Sequence, residues 1–277
     1  MKNLVCTKWV KERLGNTDAV IFDCRFSLMD PEYGEKAYKK EHIEGAIKIN
    51  LDKDLASKVE KHGGRHPLPK VEEFKSFMED LGVSNNSTVI VYDDGDLAGA
   101  SRLWWMLKYI GIENVHVMEG GIKKWILENN PTTDEISNIN NKGSITVKLN
   151  EDLICDVNYV KERMKDKNTI IIDSRARERY LGQVEPMDKK AGHIPGAKNY
   201  DWTNNFEDGK LISKNDLKER FKGVEDYKDI IVHCGSGITG CVNVLMLKEI
   251  NIDSKLYAGS WSDWCSYEEN PVSTEEE

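Results

Sequence analysis

The chain has 277 residues, 39% of them hydrophobic and 31% charged, which is too apolar for a disordered protein and long enough for one large domain or two ordinary ones. Its formal net charge of -9 is spread along the chain with no basic patch, which argues against nucleic acid as a partner, and its longest apolar runs are too short to span a bilayer. Small molecules and other proteins remain as partners.

The N-terminal residues Met1-Lys2-Asn3-Leu4-Val5-Cys6 lack the charged-then-apolar pattern of a secretory signal, so a cytoplasmic location is expected. Residues 19–22 and 88–91 are short β-branched runs, which predict buried strands, and helical patterns alternate with them. Between the two runs lie His42-Ile43-Glu44-Gly45-Ala46 and a segment, residues 63–69, that reads as a loop. Residues 131–143, which include Asn138, Ile139 and Asn140, have no apolar period and read as an exposed connection.

The same order then returns, with β-branched runs again at residues 169–172 and 229–232. Leu153-Ile154-Cys155 and Val160-Lys161-Glu162-Arg163 repeat Leu4-Val5-Cys6 and Val10-Lys11-Glu12-Arg13, and Ile171-Ile172-Asp173-Ser174-Arg175 repeats Ile21-Phe22-Asp23-Cys24-Arg25. His193-Ile194-Pro195-Gly196-Ala197 repeats the His42 motif, residues 230–234 match 89–93, and residues 259–264 match 120–125. The spacing shortens because the first copy holds extra residues between His42 and Asp93, among them 63–69. Strands alternating with helices predict a parallel sheet flanked by helices, here twice: an α/β domain over residues 1–135, a linker over 136–150 and a second domain over 151–277. The acidic end, Glu275-Glu276-Glu277, is expected to fray.

None of the six cysteines forms a Cys-x-x-Cys pair, so the usual zinc and thioredoxin spacings are missing, and no metal or cofactor is expected. Cys6, Cys24 and Cys155 read as small core residues, and Cys241 as the buried face of a helix. Cys234 differs. The strand run of residues 229–232 leads into His233-Cys234-Gly235-Ser236-Gly237-Ile238-Thr239-Gly240, and residues 242–249 read as a helix. In an α/β sheet, ligands bind beyond the carboxyl ends of strands, and a Gly-rich loop entering a helix turns backbone N–H groups inward. That environment favours a thiolate and would hold a persulfide. The first copy has Asp93 at this position, and a carboxylate cannot accept transferable sulfur, so the first domain is expected to be non-catalytic.

With these segments in order over nearly the whole chain, the sequence resembles the tandem-domain rhodanese family of thiosulfate and 3-mercaptopyruvate sulfurtransferases. The resemblance implies a sulfurtransferase that carries sulfane sulfur on Cys234 as a persulfide. The donor would be bound by Arg179 and by the loop Gly235, Ser236, Gly237, Ile238 and Thr239. The implied partners are a small-molecule sulfur donor and an acceptor such as cyanide, a thiol or thioredoxin. Ser236 matches the mercaptopyruvate type, since vertebrate thiosulfate enzymes carry a basic residue there. Against this, the second arginine of mercaptopyruvate enzymes falls where this chain reads Glu185-Pro186-Met187, which leans the donor toward thiosulfate. Lys189 or Lys190 is the nearest replacement cation.

Asp23 with Arg25, and Asp173 with Arg175, recur in both copies and read as scaffold pairs; His42 and His193 share one motif position and so one turn-stabilising role. Two other readings of Cys234 stay open. A sulfur-carrier or redox-sensing module would use the same cysteine without turnover. A cysteine phosphatase of the same fold needs an arginine six residues after the cysteine, where Gly240 stands.

Overall fold

In the computed structural model, which describes residues 2–137 and 141–277, the four β-branched runs become the central strands Ala19–Asp23, Thr88–Tyr92, Thr169–Asp173 and Asp229–His233. Each is one residue longer than its apolar run, because the closing residue is also buried and stays in register: Asp23 opposite Tyr92, and His233 opposite Asp173. One five-stranded parallel sheet has the order Leu4–Val5, Val115–Met118, Thr88–Tyr92, Ala19–Asp23, Ala46–Lys48. The other repeats that order with Ile154–Cys155, Lys255–Tyr257, Asp229–His233, Thr169–Asp173 and Ala197–Asn199. In both sheets the strands carry near-continuous apolar runs, as parallel strands covered on both faces require.

The duplication extends to single hydrogen bonds. Arg25 grips Asp23 and donates to the Glu41 carbonyl; Arg175 grips Asp173 and donates to the Gly192 carbonyl. Lys48 Nζ and Asn199 Nδ2, from equivalent edge strands, each donate to the carbonyls of the Asp and Arg of that motif. His42 and His193 both meet a tyrosine carbonyl through Nδ1 at 2.7 Å and stack on that tyrosine ring, Tyr38 or Tyr180, with centroids 3.8 and 3.7 Å apart. The second ring nitrogen of His42 meets the Glu135 carbonyl, so the histidine is spent on backbone. The indoles of Trp125 and Trp264 donate to the Pro131 and Pro271 carbonyls.

Two compact units do not follow chain order: one comprises Met1–Ser57 with Pro69–Asn150, the other Lys58–Leu68 with Glu151–Glu277. Residues 63–68 of the loop segment thus belong physically to the second unit, because their polar groups find their partners there. Within the stretch read as a linker, Asn138, Ile139 and Asn140 lie outside the described residues. Beyond them, Ile145 is buried and donates through its N–H to Glu79, while the Lys148 and Asn150 amides reach the Ile110 and Tyr109 carbonyls of the first unit. The acidic end does not fray. Glu276 pairs with Arg177, and Glu277 accepts from the Gly196 amide at 2.8 Å. Charge pairing with a basic helix turn overrides the composition that suggested a loose tail. Cys6 is exposed at the start of the helix Thr7–Lys11, so it is not a core residue. No helix of the described residues is long and apolar enough to cross a membrane.

Candidate active site

The strand Asp229–His233 delivers Cys234 to the carboxyl edge of the second sheet, and the helix Gly240–Glu249 begins six residues later. That helix is almost wholly buried, so its start is held firmly, and its Asn243 ties it to the Ser174 hydroxyl and the Tyr200 carbonyl. Cys234 is 1% exposed. The Gly237 N–H points at its sulfur from 3.2 Å, and the Ser260 hydroxyl lies 4.0 Å from it. Ser260 also accepts from the Cys234 amide at 3.1 Å, while the Trp261 and Ser262 amides donate to the Cys234 and Gly235 carbonyls. Residues 260–262 thus satisfy the Cys234 amide and the Cys234 and Gly235 carbonyls from one side. Next door, burial holds the His233 imidazole below its usual pKa, and its Nδ1 meets the Cys234 carbonyl at 3.1 Å.

Lys58–Leu68 forms a strap on this loop. His62 stacks on Tyr267 and bonds Ser266; the Gly63 amide donates to Asp263; the Arg65 amide donates to the Ser262 hydroxyl. Gly64 makes the approach possible: with φ +80°, a Cβ there would lie 2.4 Å from the Gly259 carbonyl oxygen. At the end of the strap, His66 Nδ1 sits 2.8 Å from the Ser236 hydroxyl.

Beside the loop lies a cluster of alternating charge. Arg175 is pinned by Asp173, Glu185 and the Gly192 carbonyl, and its guanidinium lies over the Trp261 ring, which makes it scaffold. Arg179, 18% exposed, is held by Glu185 at 2.7 Å and by Asp188 at 3.3 Å. Arg65, 25% exposed, forms a two-point pair with Asp188 through Nε at 3.0 Å and Nη2 at 3.2 Å. Burial alone would raise the Glu185 carboxyl; the Arg179 guanidinium and the Met187 and Asp188 amides outweigh it and hold Glu185 below the usual carboxylate range. A Cβ on residue 235 would lie 2.9 Å from Nη2 of Arg65 and 3.4 Å from Nη1 of Arg179, so glycine leaves room for both guanidinia beside the cysteine.

Of the residues singled out by sequence, the structure brings together Cys234, Gly235, Ser236, Gly237 and Arg179. Ile238 is buried behind the loop and half-buried Thr239 sits at the helix start. The substitute cations are not supported equally by geometry. Lys190 donates to the Tyr267 and Glu268 carbonyls, which occupies its ammonium, and Lys189 is exposed. Met187 is also exposed, and its sulfur meets Arg65 Nη1 at 3.8 Å. Sequence reasoning did not single out Arg65, His66, Asp188 or Ser260. The one available signal for the first two was that residues 63–69 are where the copies part, in a loop dense in glycine and proline.

A model of the rhodanese-like domain matches residues 7–128 and again 156–267. A probable 3-mercaptopyruvate sulfurtransferase of Pseudomonas aeruginosa is 34% identical over 98% of both chains. A putative thiosulfate sulfurtransferase, SseB of Mycobacterium tuberculosis, is 33% identical over 91% of this chain and 89% of its own. Among solved structures, SseA of Escherichia coli, described as a 3-mercaptopyruvate sulfotransferase, superposes with a TM-score of 0.83 at 31% identity, covering 95% of this chain and 100% of that one.

Proposed function

The chain belongs to the rhodanese family, and from that membership and the loop around Cys234 we propose that it is a sulfurtransferase carrying one sulfur atom as a Cys234 persulfide. The observation that supports this most directly is the Gly237 N–H aimed at the cysteine sulfur, beside two guanidinia able to grip an anionic donor. With thiosulfate, the Cys234 thiolate attacks the outer sulfur, the S–S bond breaks, and sulfite leaves with the bonding pair. With 3-mercaptopyruvate, the C–S bond breaks, its electrons stay on carbon as the pyruvate enolate, and that carbon takes up a proton. An acceptor nucleophile, such as cyanide or a thiolate, then attacks the outer persulfide sulfur and Cys234 leaves as thiolate. A protein thiol of the thioredoxin kind is chemically equivalent to a small thiol here.

The contact between His66 and Ser236 bears on donor choice. An imidazole and a hydroxyl 2.8 Å apart can relay a proton, which the enolate needs and sulfite does not. Together with Arg65 beside Arg179, it weakens the lean toward thiosulfate and favours a site able to use either donor. The first unit, with Asp93 in the equivalent loop, has no nucleophile there to carry sulfur. Intact-mass spectrometry after incubation with each donor tests the reading: a gain of one sulfur atom, removed by a reducing thiol, is expected. Turnover with free donor and acceptor separates an enzyme from a carrier that is loaded once. Absence of any added sulfur with both donors would refute it.

A further inference from the structure

We propose that Arg65 is a donor-binding residue: the strap Lys58–Leu68 supplies a second guanidinium that, with Arg179, grips the anionic end of the sulfur donor. This rests on the reading of Cys234 as the sulfur carrier. The geometry has three parts. First, both guanidinia converge on the face of Gly235 where a Cβ would stand, one residue from the cysteine. Second, each is held along one edge: the Arg65 nitrogen nearest Gly235 is Nη2, which Asp188 also holds, whereas the nearest nitrogen of Arg179 is Nη1, off the edge that Glu185 takes. Asp188 takes Nε and Nη2 of Arg65, and Glu185 takes Nε and Nη2 of Arg179. Nη1 of Arg65 faces the Met187 thioether at 3.8 Å, a weak acceptor that an oxyanion readily displaces. Third, the reach of Arg65 is set in advance, because the amides of Gly63 and Arg65 and the ring of His66 are all tied to residues of the same unit.

The charges decide what kind of ligand gains. Arg65, Arg175 and Arg179 are balanced by Asp173, Glu185 and Asp188, so the site has no large net field and a neutral molecule gains nothing from it. A small oxyanion, sulfonate-like or carboxylate, gains directional hydrogen bonds from two fixed forks. It also competes with Asp188, which acts as an internal occupant of the Arg65 fork.

The experiment separates the two half-reactions. For Arg65→Gln, kcat/KM for thiosulfate should fall roughly ten- to a hundredfold, mostly through KM, the size expected from losing hydrogen bonds between charged groups. Inhibition by methanesulfonate, an oxyanion with no sulfur to give, should weaken in parallel, and Arg65→Lys should restore part of both. Discharge of sulfur from protein loaded to completion with excess thiosulfate, into a neutral thiol, should keep its native rate. If discharge slows as much as loading, Arg65 only positions the loop and the proposal is overturned; an unchanged KM in folded Arg65→Gln overturns it as well. Should Arg65→Gln not fold, Asp188→Asn carries the test, since freeing the Arg65 fork should lower the thiosulfate KM, and an unchanged or higher KM would overturn the idea. A native protein that takes up no sulfur would instead overturn the Cys234 reading beneath it.

Discussion

The loops after the two central strands, at Asp93 and at Cys234, share a backbone plan and differ in what sits at the centre. In both, the carbonyl of the central residue accepts from the amide of the second residue of the helix that follows the next strand, Ile122 in Gly121–Leu127 and Trp261 in Ser260–Trp264. The residues before those amides, Gly121 and Ser260, both have positive φ, 56° and 57°. At Asp93, however, the side chain collects the loop's own amides: Gly95 and Leu97 on Oδ1, at 2.8 and 3.2 Å, and Ala100 on Oδ2 at 3.1 Å. A cradle that could bind an anion is filled by a carboxyl group of its own chain. At Cys234 the corresponding centre is a sulfur with the Gly237 amide on it, and the charged partners are brought from outside the loop by Arg65 and Arg179. One duplicated scaffold thus carries a self-satisfied loop and a loop that can still take a ligand.

The largest effect should come from the centre itself. Cys234→Ser should abolish sulfur loading while preserving the fold, because the hydroxyl is a far poorer nucleophile in the same loop; a thiol-labile added sulfur on that variant would break the comparison. Second in size is the scaffold under the reactive loop. Arg175→Met strands the buried Asp173 carboxylate and should cost about 3–5 kcal/mol in denaturant unfolding. Burial alone would raise the Asp173 carboxyl, but Arg175 more than reverses this and holds it below the usual range. The pair therefore contributes stability above the ordinary carboxylate pKa that is lost as pH falls through the lowered value, and the variant should lose that acid-side slope.

A smaller change is expected at the strap. His66→Ala should lower kcat/KM for 3-mercaptopyruvate by about a hundredfold, the lower end for a proton-transfer group, and affect thiosulfate less. Equal losses with both donors would mean that His66 only holds Ser236. The smallest change tests the silent loop. Asp93→Ala should leave Cys234 loading at the native rate, and cost about 1–3 kcal/mol of stability for amides left without their acceptor. Burial, with the neighbouring Asp96 charge, pushes the Asp93 carboxyl up against the pull of its three amides. The folded protein should therefore lose stability as pH rises from the ordinary carboxylate value through the raised one, and Asp93→Ala should remove that decline, measurable as a flatter profile of unfolding midpoint against pH. Slower loading in a folded Asp93→Ala protein would show that the first unit matters to the reaction.

Much of this was legible before any coordinates. The four β-branched runs read as buried strands, because a half-exposed strand alternates and these do not, and their alternation with helical stretches pointed to a parallel sheet. Cys234 stood out because a strand ending in a glycine-rich loop and then a helix is a local pattern, complete within a dozen or so residues. The repeat itself assigned shared duties to His42 and His193, and to the Asp-Arg pairs, since one cause had to explain both copies. What stayed hidden were the side-chain hydrogen bonds and ion pairs whose partners lie far apart in sequence. Arg65 and Asp188 are separated by 123 positions, and His66 and Ser236 by 170. Periodicity reports which face of an element is buried, and turn residues report where the chain bends; neither says which distant loop will satisfy a polar group. The docked tail, the strap on the second unit and the second guanidinium beside Cys234 were decided by long-range pairing of charges and amides, which exists only once the chain has closed on itself.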